Sequence, residues 1–235
     1  MTAVTFALPA ESSDFVRSLG KRAGGARPGG QVIHGEIRSR PMAILHTGVG
    51  AKVARERVEN FLKNERIDYL ISAGFAGALD PQLDVGDLVI AENFSSRELL
   101  QSPNLQLGAL PVYAGKLITT QVMIENASER AALAAETGAI AVDMETETVA
   151  AVCAARGVPL LSIRAISDTD AATFPVPAAV LFDVETQRTN LARLAFYLAI
   201  HPARIARLIA FSKQIAIARE SLSAALDAIL RYDLR

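Results

Sequence analysis

The chain has 235 residues, with 24 Lys and Arg against 25 Asp and Glu and three His, so its formal net charge is −1. This near balance leaves no electrostatic footprint for nucleic acid, and the length suits one large α/β domain with a sizeable core better than two small ones. The single cysteine, Cys153, excludes an intrachain disulfide and fits a reducing compartment, and no stretch approaches the roughly 20 apolar residues of a membrane span.

In chain order, MTAVTFALPA has no basic n-region and is broken at Pro9 before Glu11, so it reads as a first strand and not a signal peptide. A cytoplasmic setting is the expectation. Strand-like apolar runs recur at 3–8, 31–37, 42–46, 68–73, 87–92, 139–143 and 159–166, with helix-like segments between many of them. That alternation predicts an α/β fold with a mostly parallel sheet. Residues 20–30, GKRAGGARPGG, read as a flexible loop with solvated charges; residues 95–111 show no period and read as a long loop or lid. Gly157 and Pro159 read as a helix stop ahead of the buried strand at 159–166. Beyond it, apolar residues fall at helical spacing from Thr186 to Ile200 and again after His201-Pro202, at Ile205, Leu208, Ile209, Leu222, Leu226 and Ile229, with Pro202 suited to a first helical turn. Arg204, Arg207, Lys213 and Arg219 make this helical C-terminal extension, 186–235, basic in its middle. Two readings of it stand: packing on the sheet or a second subunit, or an amphipathic surface for a lipid or membrane interface.

Ligands of open α/β sheets collect at the carboxyl ends of strands, and several patches lie at predicted strand ends. Glu11 follows the first strand and a Pro turn, at a helix start where an acid suits the dipole. In His46-Thr47-Gly48-Val49-Gly50, two glycines at a strand-to-helix junction let backbone N–H groups approach an anion or a water, while His46 reads first as a structural histidine. In residues 72–80, SAGFAGALD, Gly74 and Gly77 leave room for a ligand beside Ala73, and Phe75 offers an apolar wall; taken alone they read as a tight turn between strands. In residues 141–147, AVDMETE, three acids suit a helix N-terminus and also a hydroxyl-rich ligand, because a carboxylate accepts from two adjacent hydroxyls. With the strand persisting, Asp143 and Glu145 share one side and Met144 the other. The strand at 159–166 ends in Ser167-Asp168-Thr169-Asp170, and Cys153 reads as a small core residue.

Together, a Glu soon after the first strand, T-G-V-G, S-A-G-F-A-G-A-L-D-P-Q-L-D-V-G-D, A-V-D-M-E and R-A-I-S-D resemble the nucleoside phosphorylase and nucleosidase superfamily, especially the methylthioadenosine/S-adenosylhomocysteine nucleosidases, over most of residues 1–170. The resemblance implies a single three-layer domain over 1–235, with a central twisted, mostly parallel mixed sheet flanked by helices. It implies a purine nucleosidase that releases adenine from an adenosine derivative modified at the 5′ position, with no metal or organic cofactor. Asp168 matches the acid that protonates or holds purine N7, with Ser167 orienting it. Glu11 matches the carboxylate that positions and activates water, and Glu145 the one that binds the ribose hydroxyls, with Met144 packing on the sugar. Asp143, Ala73, Gly74 and Phe75 are implied at the substrate, Val122 and Met123 near the base-stacking segment, and Gly48, Val49 and Gly50 as an anion or water loop. To act as an acid near pH 7, Asp168 needs burial or a nearby like charge, which Asp170 and Glu145 could supply. Arg164 either steadies this acidic strand end or makes a structural salt bridge.

Phosphorylases of the superfamily bind phosphate partly through an Arg shortly before the Gly-Ser motif and through that Ser; here those positions look like Ser72 and Phe75. Glu11 would repel a phosphate dianion, so water is favoured as nucleophile. The chain departs from the nucleosidases at Phe75, where they usually carry Ser, at Asp143, where they carry Glu, and at Thr146-Glu147, which replaces a small-residue run. Past Asp170 it looks similar to the hopanoid-associated phosphorylase-like proteins, implicated in removing adenine from adenosylhopane, so a lipid-linked nucleoside is an alternative substrate. A phosphate-dependent purine nucleoside phosphorylase and a catalytically silent nucleoside-binding protein also stay open; the presence of Glu11, Glu145 and Asp168 argues against the silent one. By analogy with the superfamily, the partners are a small-molecule nucleoside and a second copy of the chain, a dimer being favoured, and not nucleic acid.

Overall fold

The computed structural model describes residues 1–23, 32–124, 126–170, 182, 183, 188, 189, 197, 200, 201 and 203–235. In chain order its elements are β1 (Thr2–Phe6), α1 (Pro9–Ser18), β2 (Gly20–Ala23), β3 (Val32–Ile37), β4 (Arg40–His46), α2 (Ala51–Asn64), β5 (Tyr69–Ala78), β6 (Leu88–Ala91), α3 (Arg97–Leu100), β7 (Val112–Gly115), β8 (Leu117–Thr119), α4 (Ala127–Thr137), β9 (Ala141–Asp143), α5 (Thr146–Arg156), β10 (Leu160–Asp168), β11 (Phe182–Asp183), β12 (Arg188–Thr189) and α6 (Ala203–Ile229).

The main sheet runs β2-β3-β4-β1-β5-β10-β6-β7, and its centre, β4-β1-β5-β10, is parallel. β3 runs antiparallel to β4, β6 runs antiparallel to β10, and β9 pairs antiparallel with the far end of β5 at Gly77 and Ala78. The result is the mixed, mostly parallel α/β sheet that the alternating pattern predicts. Strands buried on both faces read as continuous apolar runs, as Leu160 to Ile166 does.

The two-residue period of the strands decides what each helix covers. Val4, Ile44, Ile71 and Ile163 face α1 and the second half of α6, where Phe15, Leu222, Leu226 and Ile229 are buried. Ala3, Ala43, Leu45, Leu70 and Leu160 face α2 and α5, where Val58, Phe61, Val149, Val152 and Cys153 complete a separate core. Helices therefore lie on both sides of the sheet. Each fully buried Leu or Ile contributes roughly 1.5–3 kcal/mol relative to exposure. Burial pushes the Cys153 thiol up to about 12, which makes it a packing residue.

Four segments differ from the sequence reading. Residues 72–78 contain no tight turn, because β5 runs straight through them as a central strand. Residues 95–111 are, apart from α3, the long loop expected, but not a lid: α3 buries Leu99, and Leu100, Leu105, Leu107 and Leu110 pack on the α6 side of the core. That segment is also tied to the C-terminus, Ser102 Oγ donating to Leu234 O at 2.8 Å and Asn104 Nδ2 to Asp233 O at 2.6 Å. Its apolar residues show no period because they hang from turns. Residues 20–23 form an edge strand, Gly20 opposite Glu36 and Ala23 opposite His34; residues 24–30 of the expected loop lie outside the described residues. The helix expected from Thr186 is interrupted, since Arg188–Thr189 pairs antiparallel with Phe182–Asp183; most of 186–200, and Pro202, lie outside the described residues. Among the described residues no helix is long and apolar enough to cross a membrane, and no group of three or more His, Cys, Asp or Glu could hold a metal ion.

Candidate active site

β1 and β4 end side by side, with Phe6 in register with His46, while β5 passes them, pairing Ser72 with Thr5 and running on to Ala78. Beyond these ends lies a narrow pocket walled by Phe6, Thr47, Gly74, Phe75 and Val149, with Glu11, Glu145 and Arg164 as its charged groups.

Glu11 enters because Pro9 starts α1 immediately after β1, which places the acid in the first turn. One of its oxygens, Oε2, accepts the Leu8 N–H at 2.9 Å, closing the cap of the helix. The other, Oε1, accepts the Phe75 N–H from β5 at 3.3 Å. Burial pushes the Glu11 pKa upward, opposed by the Leu8 N–H, the charge of Arg164 and the Phe75 N–H. Such a carboxyl can exchange a proton closer to neutrality than a free one.

Glu145 stands at the N-cap position of α5 without bonding its side chain to the helix, and Gly50 N–H donates to its Oε1 at 3.2 Å. Gly50, at φ 95°, adopts a conformation that side-chain-bearing residues avoid, and Gly48, at φ 78°, does the same. The Gly48-Val49-Gly50 loop thus receives a carboxylate of the chain itself. Burial, then the charges of Asp143 and Glu11, push Glu145 up to about 8.

Arg164 spends its guanidinium on protein. Nε donates to Asp143 Oδ2 at 3.0 Å, Nη1 to the Ser72 and Ile163 carbonyls at 2.7 and 2.8 Å, and Nη2 to Ser72 Oγ at 2.9 Å and to Thr146 Oγ1. These contacts use all five of its N–H donors. Asp143 is equally committed, accepting from Thr119 Oγ1 at 2.8 Å and from the Thr146 N–H and hydroxyl. It braces the turn that carries Glu145. Asp143 and Glu145 do not share a strand face, because β9 ends at Asp143 and α5 begins at Thr146.

Asp168 is the last residue of β10 and stands beside the far end of β5. A register shift between Ile166 and Asp168 sets it opposite Gly77. Ser167 Oγ donates to its Oδ1 at 2.7 Å, and its Oδ2 is paired with Arg130 of α4. The sequence reading expects Asp170 and Glu145 as like-charged neighbours of Asp168; instead a cation meets it, and Asp170 lies 3.7 Å from Arg130 Nε. Glu11 grips β5 at Phe75 and Asp168 faces Gly77, two residues on, a separation along the strand of roughly 7 Å. Asp168 does not line the pocket of Glu11 and Glu145.

Val122 is 67% exposed. Neither it nor Met123 nor Met144 lines the pocket, and the carbonyl of the neighbouring Ile124 accepts from Arg130 at 3.1 Å. His46 Nε2 is 2.8 Å from Ser12 Oγ. Burial and the charge of Arg57 lower its pKa, which fits a neutral structural imidazole. The sequence reading misses Arg130 and Val149. Val149 carries a usable signal, lying four residues after Glu145 and so on the same side of α5. Arg130 carries none, since an Arg on an alanine-rich helix is ordinarily solvated.

Residues 2–99 and 93–199 match the sequence model of the phosphorylase superfamily. Over 168 residues the chain is 27% identical to the 5′-methylthioadenosine/S-adenosylhomocysteine nucleosidase of Glaesserella parasuis serovar 5, spanning 60% of this chain and 73% of that protein. Its fold is similar to that of the 5′-methylthioadenosine/S-adenosylhomocysteine nucleosidase from S. pneumoniae with a transition-state inhibitor, at a TM-score of 0.73, 20% identity and 98% of both chains. Native futalosine hydrolase of Helicobacter pylori aligns at a TM-score of 0.71 and 15% identity, also over 98% of both chains. The chain belongs to the phosphorylase superfamily.

Proposed function

We propose that the protein is a purine nucleosidase that hydrolyses the N-glycosidic bond of a 5′-modified adenosine and releases adenine. The observation that carries this reading is a pocket in which two carboxyls, Glu11 and Glu145, meet while the cation lining it, Arg164, is fully committed to protein partners. A phosphate dianion would find that guanidinium already spent and the Gly50 amide that could cradle it given to Glu145, so it would be buried without donors to hold it. Water meets no such penalty.

In the proposed reaction the C1′–N9 bond breaks with its electron pair going to the purine, leaving an oxocarbenium-like sugar. The water oxygen bonds to C1′ and gives a proton to Glu11, while Glu145 accepts hydrogen bonds from the ribose hydroxyls. Asp168 engages the departing base. The departing base takes up a proton from solvent and Glu11 returns one to solvent, so the products are adenine and a free sugar. The name of the relative from Glaesserella parasuis supports a thioether at the 5′ position. A lipid-linked 5′ group is the second reading, supported by Ile205, Ile209 and Ile217, which stand 44%, 55% and 49% exposed on α6.

The test is adenine release from methylthioadenosine by Glu11→Gln and Asp168→Asn. Each substitution is expected to lower kcat by about 10²- to 10⁴-fold. Undiminished turnover in either variant removes that residue from the mechanism.

A further inference from the structure

α6 is longer than the sheet it packs on. Toward its C-terminal end, Arg40, the first residue of β4, donates to Leu230 O. At its middle, Ile217 Cγ2 lies 2.7 Å from where a Cβ of Gly86 would stand, and Gly86 N–H donates to Ile166 O, near the carboxyl end of β10, at 2.9 Å. Between these two levels Ala218, Leu222, Ala225, Leu226 and Ile229 are buried, and Arg219 is paired with Asp14 of α1. From Arg204 to Ile217 no residue is buried. At 1.5 Å per residue, this half of the helix runs on for roughly 20 Å, beyond the same edge of the sheet as the pocket of Glu11 and Glu145.

The overhang has one character. Ile205, Ile209, Lys213 and Ile217 recur every four residues and so form one row along the helix. All four are exposed, the isoleucines by 44%, 55% and 49%, and so is Arg207. Residues 186–219 hold six of the chain's 24 Lys and Arg and none of its 25 Asp and Glu.

We propose that this half of α6 docks on an anionic lipid surface, lying in the plane of the headgroups with its isoleucines inserted. An exposed apolar row marks a contact surface, and the charge identifies the partner. A second copy of the chain packed on the same row would set a basic face against itself. Anionic headgroups instead neutralise Arg207 and Lys213, whose stems lie along the acyl chains. The helix is not long and apolar enough to cross a membrane, so it lies on one. Because the overhang shares its edge of the sheet with the pocket, docking turns that edge toward the lipid.

The experiment is co-sedimentation of the full chain with vesicles of phosphatidylcholine alone and of phosphatidylcholine with about 30% phosphatidylglycerol. The anionic vesicles are expected to bind the wild type at least about tenfold more strongly, and about 0.5 M salt to release it. Arg207→Gln combined with Lys213→Gln should weaken that binding about 30-fold, each cation near such a surface contributing about a factor of five. Ile205→Ser combined with Ile209→Ser should weaken it at least about tenfold. All four side chains are exposed, so the urea midpoints of both variants should match the wild type; if one falls, the lipid and salt dependence of the wild type decides. A wild type that stays in solution with anionic vesicles, or that sediments equally with both compositions, overturns the proposal, as do folded charge variants that bind undiminished. So does a chain that ignores lipid and forms a dimer dissociated by Ile209→Lys, since a second copy then covers the helix. No nucleoside is present, so failure here leaves the nucleosidase reading standing, and failure of turnover leaves this inference standing.

Discussion

Replacing Glu145 by Gln removes a carboxyl whose proton the pocket holds to about pH 8, against 4.5 for a free one. Below pH 4.5 the folded and unfolded chains both carry that proton, and the substitution costs the same at every pH. As pH rises from 4.5 to about 8, the unfolded chain ionises freely while the folded chain does not, so the wild type loses stability relative to the variant. At about 1.4 kcal/mol per pH unit the loss has a ceiling of roughly 5 kcal/mol, reached near pH 8 and constant above it. The assay is urea unfolding of both proteins from about pH 5 to about pH 9, read as the difference in unfolding free energy. That difference should move steadily in favour of Glu145→Gln and then level off. Repeating the comparison in a Glu11→Gln background removes one of the charges that raises Glu145, so the difference should start at the same pH but level off at a lower pH and a smaller value. A difference that is flat, or that favours the wild type as pH rises, would refute the crowding of Glu145 by burial, Asp143 and Glu11.

Three further substitutions probe the frame around the site. Arg164→Met strands Asp143 in the interior without its cation and should cost about 3–5 kcal/mol in urea unfolding; a loss under about 1 kcal/mol would show that the pair does not brace Glu145. Gly77→Ala pushes a methyl against Arg130 and Asp168, and is expected to lower kcat/KM for adenine release about tenfold through misplacement of Asp168, with an unchanged value counting against that geometry. Leu222→Ala opens a cavity between α6 and the sheet and should cost about 2–5 kcal/mol; a neutral outcome would mean that α6 is not part of the core.

The central strands were legible because burial on both faces leaves a mostly apolar run, as from Leu160 to Ile166, where only Ser162 and Arg164 are polar. β7 and β8 were not: strands of four and three residues carry too little pattern to separate from a loop. The segment 95–111 misled for a related reason, since residues held by turns pack without periodicity. At the site, Glu11 was visible because Pro9 marks the start of its helix. Its hydrogen bond to Phe75 was not, being made across 64 residues of chain. Asp168 stood out as an acid ending a buried strand, but its partner did not. What surrounds Asp168 depends on α4 folding back over the end of β5, and nothing local to either segment announces that Arg130 will arrive there.

The most direct test of the nucleosidase reading is product analysis of methylthioadenosine turnover with and without inorganic phosphate. The account predicts adenine and free methylthioribose at a rate indifferent to phosphate. Phosphate-dependent release with methylthioribose 1-phosphate as the sugar product would contradict it.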